Sequence, residues 1–180
     1  RLAENLKEER SNSFSGSIDW TTSFGHWQAN VLLEGFYTDL KNVFILEDIG
    51  IVNDYAIKER RNGKGARVYG ANLDAKIAHG TQFSAQLGFT AQRSRYKQAE
   101  IWTVVNDAPL TTKRMMRTPD YYGYLTLTSS PVKRLDLSLS GTYTGSMIVP
   151  HYAPEKDILE NMPTEEAAKY IQQDRLETTP

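Results

Sequence analysis

The chain has 180 residues, 21 basic against 22 acidic, no cysteine and 39% hydrophobic content. This balance excludes a surface built to neutralise nucleic acid. It also excludes a disulfide framework and cysteine metal ligands, and no apolar run approaches the ~20 residues of a membrane helix. The length suits one domain. The chain opens on Arg1 rather than Met and closes on Leu176–Pro180 without a stop-like feature, so it is expected to be a piece of a longer protein whose targeting segment lies elsewhere.

Taken in order, Arg1–Arg10 is charged and reads as a loop. Across 11–22, Phe14, Gly16, Ile18 and Trp20 alternate with Ser15, Ser17 and Asp19. Side chains of a strand point to opposite faces in turn, so this is a strand with one apolar and one polar side. A short turn around Gly25-His26 leads to a second strand over 27–46. There Trp27, Ala29, Val31, Leu33, Gly35 and Tyr37 oppose Gln28, Asn30, Glu34 and Thr38, while Leu32 and Phe36 break the polar side. A long loop over 47–65 ends in the turn-forming Asn62-Gly63-Lys64-Gly65.

The next two strands, 66–78 and 82–95, form the clearest hairpin. Tyr69, Ala71, Leu73, Ala75 and Ile77 lie opposite Gly70, Asn72, Asp74 and Lys76; Phe83, Ala85, Leu87, Phe89 and Ala91 lie opposite Ser84, Gln86, Gly88, Thr90 and Gln92. A second long loop, 96–118, carries Trp102 and several basic residues. Strands 119–129 and 134–147 close the series, the latter with Leu135, Leu137, Leu139, Gly141 and Tyr143 against Asp136, Ser138, Ser140, Thr142 and Thr144. The last segment, 148–180, reads as loop, with a short helix over 164–173 capped by Thr164.

Six long strands in three hairpins, with short turns at one end and long loops at the other, specify an all-β, antiparallel up-and-down meander with little helix. A soluble sandwich or a lipocalin-like barrel alternates in the same way. Three features favour lipid against the apolar side. Strands of ~9–11 residues match a tilted span of the hydrocarbon layer. Short turns opposite long loops are the arrangement of outer-membrane barrels. Aromatic residues gather at both ends of the apolar side: Trp20, Phe24, Trp27 and Phe83 by the turns, and Tyr37, Tyr69, Tyr121 and Tyr143 toward the loops. On this reading Asp19, Glu34, Asp74, Lys76 and Asp136 face a watery lumen.

Several stretches then resemble TonB-dependent outer-membrane receptors of the Bacteroidetes type: Asn5–Phe14, Gly35–Phe44, Arg61–Ala71, Arg117–Tyr124 and Gly145–Ala153, in that order. The resemblance implies part of a 22-stranded transmembrane barrel whose plug domain and TonB-contacting segment lie outside this chain. It also implies an outer-membrane location, lipid as a partner, and uptake of a scarce ligand such as an iron chelate, a corrinoid or a glycan, powered through TonB.

No nucleophile–base–carboxylate set is legible, so no enzyme is expected. Arg60–Arg67 lacks the Gly-Lys-Ser/Thr order of a phosphate loop. His26, His79 and His151 show no metal-ligand spacing, and neither metal nor cofactor is expected. Ligand contacts belong on the long loops, where Tyr55, Arg60, Arg61, Tyr96, Trp102, Arg114, Arg117, His151 and Tyr152 are candidates; for each one singly, a solvated loop residue is the plainer reading. The competing assignment is a soluble β-sandwich ligand-binding module, such as a carbohydrate-binding one.

Overall fold

The computed structural model describes residues 1–52, 55–105, 108–153 and 175–179, the side chains of 47–52, 55–56, 58 and 104–105 excepted. The long strands are β1 (Arg10–Phe24), β2 (Trp27–Lys41), β5 (Ala66–His79), β6 (Phe83–Val105), β8 (Tyr121–Val132) and β9 (Leu135–Thr144). They lie side by side in the order β1-β2-β5-β6-β8-β9, each antiparallel to the next. This is the expected all-β meander.

Tight turns join the strands in pairs. Gly25 and Gly80, at φ of 62° and 51°, take the left-handed backbone that these turns need, a conformation open to glycine without steric cost. Arg134 takes it at φ 71° in the third turn.

The register sorts the side chains into two faces. One row reads Ile18–Leu33–Leu73–Phe89–Gly123–Tyr143, and the next toward the turns reads Trp20–Val31–Ala75–Leu87–Leu125–Gly141. Between them, on the opposite face, runs Asp19–Leu32–Asp74–Gly88–Tyr124–Thr142. The apolar face has no cover. Ile18 is 72% exposed and Leu139 67%, and among the described residues the only buried hydrophobic is Ala66. A folded soluble domain hides its large apolar side chains; this sheet presents them. The upper parts of β2 and β5 alternate exposed and half-buried positions, the exposed ones being those of the apolar face, such as Leu33, Tyr37 and Tyr69.

The segments read as loops contain further strands. Within and around 47–65 run β3 (Phe44–Val52) and β4 (Tyr55–Asn62), a separate two-stranded sheet. The strand expected over 27–46 stops at Lys41, because Asn42 takes φ 56° and turns the chain before β3 begins; asparagine tolerates that region better than most residues. Within 96–118, β6 continues to Val105 and pairs with β7 (Ala108–Arg114). Within 148–180, β10 (Ile148–His151) pairs with β11 (Arg175–Thr178). The physical reason is common to all three: backbone N–H and C=O groups of a long excursion find partners in a hairpin ladder. The helix expected over 164–173 lies outside the described residues.

Candidate functional site

Height along the strands sets the geometry. From the turn-side row Trp27–His79–Phe83 to the row Tyr37–Tyr69–Arg93 is ten residues, about 33 Å along the strand at ~3.3 Å per residue. At the tilt of roughly 40–45° usual for membrane barrels, this is about 24 Å of height, close to the ~25 Å apolar band such barrels expose. Aromatics mark both borders. Trp27 lies 6.5 Å from Phe24, 4.7 Å from His79 and 6.4 Å from Phe83, ring centre to ring centre. At the other border Tyr37 stacks on Tyr69 at 6.4 Å, and Tyr121, one same-face rung lower, stacks on Phe89 of the band at 6.3 Å.

The opposite face carries a hydrogen-bonded polar network. Asn72 donates to Glu34 Oε1 (3.2 Å) and accepts from Thr90 Oγ1 (2.9 Å). The Tyr124 hydroxyl donates to Asp74 Oδ1 (3.1 Å) and accepts from Gln86 Nε2 (2.9 Å). Asn30 joins Asp19 to Thr21, and Ser130 donates to Asp136 at 2.6 Å. The Tyr124 ring lies against Gly88, where a Cβ would come 2.1 Å from ring carbon Cε1. Asn72, Asp74, Thr90, Tyr122 and Tyr124 line one open concavity of about 680 Å³. Tyr122 and Tyr124 were not among the sequence candidates. Their signal was present: two tyrosines, two residues apart, on the side where the other strands are polar.

The loop candidates fall into groups. Trp102 and Tyr152 meet, ring centres 5.9 Å apart, although 50 positions separate them in sequence. His151 Nε2 lies 3.1 Å from Glu177 across the β10–β11 ladder. Arg117, at φ 55°, donates its backbone N–H to Ile148 and so ties the approach to β8 to β10. Arg114 pairs with Asp120 at 3.3 Å. Arg60 and Arg61 lie on β4, in a different sheet from Trp102, with Arg60 exposed and bonded through its backbone to Arg1 and Ala3.

Tyr96 lies in the extension of β6 beyond the apolar band, opposite Ala66. Burial pushes its phenol above the ordinary value, and the Glu100 carboxylate adds to the shift. Glu100 also accepts from the Lys64 backbone N–H (2.9 Å), and Lys97 N–H donates to Gly65 O (3.0 Å); these bonds fasten the end of the β3–β4 arm to β6. Tyr55 opens β4, but its side chain lies outside the described residues. His26 and His79 meet edge to face at 6.0 Å at the turn end, far along the strands from His151.

Among curated proteins no relative matches the chain. A family model does, over residues 2–157: the one described as "TonB dependent receptor-like, beta-barrel".

Proposed function

The chain belongs to the TonB-dependent receptor-like β-barrel family, and from that premise we propose that it forms a sector of the wall of an outer-membrane uptake receptor. One observation carries this reading. A single-layered sheet exposes an apolar face ten residues long, about 33 Å along the strand, bordered by aromatic rows as a lipid-facing barrel wall requires, while Ile18, Leu33, Leu73 and Phe89 share one row with no protein layer over it among the described residues. A soluble sandwich would stack a second sheet ~10 Å away on those side chains. Burying them nowhere leaves that alternative without a core.

The polar face, with Asp19, Glu34, Asp74, Lys76 and Asp136, lines the lumen. The ligand is a scarce nutrient of the iron-chelate, corrinoid or glycan kind, captured at the long-loop end, where Trp102 and Tyr152 offer a paired aromatic surface; aromatic rings suit such recognition because they bury large area at small entropic cost. TonB, reached through the part of the receptor that precedes this wall, supplies the energy. Closure into a full barrel pairs the outer edges of β1 and β9 with further strands.

The test is behaviour of the intact receptor. It should fractionate with the outer membrane, need detergent for extraction, and lose uptake when TonB is removed. A receptor that stays monomeric and folded in buffer without detergent would sink the proposal.

A further inference from the structure

A charged row lies just outside the upper aromatic border. Asp39, Arg67, Arg95 and Arg114 are direct register partners on consecutive strands β2, β5, β6 and β7. Their parity places them on the apolar face, two residues beyond Tyr37 and Tyr69, hence roughly 5 Å higher at the tilt used above. Three arginines in adjacent register are unusual, because like charges directly opposite one another destabilise a sheet.

The carboxylates at hand are shared out already. Asp39 serves Lys97 (2.8 Å) and Arg67 (3.5 Å). Asp120 serves Arg93 and Arg114. Five cationic side chains thus face two carboxylates, and among the described residues no carboxylate pairs with Arg95, which is exposed. Arg67 remains 57% exposed despite its partner. Arg93 also lies over the Tyr121 ring, 5.5 Å from its centre, which anchors the cluster to the aromatic border.

Resting on the reading of the apolar face as lipid-facing, we propose that this row binds the phosphate groups of a phosphorylated lipid headgroup in the leaflet on the long-loop side. The acyl chains would lie against the band below. The guanidinium forks of Arg67 and Arg95 would take the phosphate oxygens in paired, charge-assisted hydrogen bonds. The occupant is a lipid and not a soluble anion because the cationic row continues directly from an apolar surface: one molecule with a phosphate head and acyl tails satisfies both.

The experiment uses the intact receptor in neutral detergent, titrated with diphosphoryl lipid A and with its fully dephosphorylated form, bound lipid being counted by native mass spectrometry. The phosphorylated form should bind at least ~10-fold more tightly, and the Arg67→Gln/Arg95→Gln pair should remove roughly that factor. Arg67→Lys/Arg95→Lys, which keeps the charge, should keep part of the preference. Equal affinity for the two lipids in the unaltered receptor, a comparison that needs no variant, overturns the inference. So does displacement of the lipid by millimolar inorganic phosphate, which would make the cluster a soluble-anion site. A receptor folded without detergent would instead defeat the membrane reading beneath it, so the two failures are told apart.

Discussion

The sheet below the tyrosine row and the sheet above it follow different rules. Below, β1–β2, β2–β5 and β5–β6 pair without a register shift, β8–β9 shifts only beside its turn, and the two faces differ in polarity at most positions, Leu32 and Phe36 excepted. Above, β6–β7 carries two register shifts and β3–β4 one, and polar and apolar side chains mix on both faces. Below the row, the outer face meets one kind of medium, and a slip of one residue would turn every apolar side chain inward. Above it, polar side chains occupy both faces, a slip costs little, and bulges accumulate.

The largest effect should come from breaking the band. Leu73→Arg, near mid-height, should destabilise the intact receptor by about 2–4 kcal/mol. Ile101→Arg, in the upper part and already half exposed, should cost no more than ~0.5 kcal/mol. Urea unfolding from lipid vesicles reads both, and equal costs would erase the contrast. Next come the glycines. Gly88→Ala drives a Cβ into the Tyr124 ring and breaks its bonds to Asp74 and Gln86, for about 1–3 kcal/mol. Gly35→Ala meets nothing within 4 Å and should stay within ~0.5 kcal/mol. At the turn end, Gly25→Ala forces an L-residue into φ 62° and should cost about 1–2 kcal/mol, slowing refolding of the first hairpin in stopped-flow kinetics if that turn forms early. Smallest in stability is Trp102→Ala, within ~0.5 kcal/mol on the same urea assay. Its effect should appear as weaker ligand capture by whole cells, and unchanged capture would remove the Trp102–Tyr152 pair from the recognition surface.

The same division explains what could be read from the sequence. The six long strands were legible because one apolar face and one polar face impose a period of two, as at Phe83–Phe89 and Leu135–Tyr143. The strands of the excursions were not, because nothing selects their alternation: Lys58-Glu-Arg-Arg61 in β4 and Gln98-Ala-Glu-Ile101 in β6 follow no face. At Asn42 the turn signal was outweighed by the apparent continuation through Val43 and Ile45. The pairing of Trp102 with Tyr152 was illegible for another reason, since it depends on how two separate arms pack and not on any local pattern. The charged row was hidden likewise. Arg67, Arg95 and Arg114 are far apart in sequence, and register alone makes them neighbours.

β6 runs for 23 residues without interruption, and Trp102 lies nine positions past Arg93, about 30 Å farther along the strand. The wall therefore carries a mast. On the orientation proposed above, Trp102 and Tyr152 stand clear of the bilayer, in the zone where surface polymers and extracellular proteases operate. If that end captures cargo as proposed, shaving the mast from living cells would blind the receptor while leaving the wall beneath it in place.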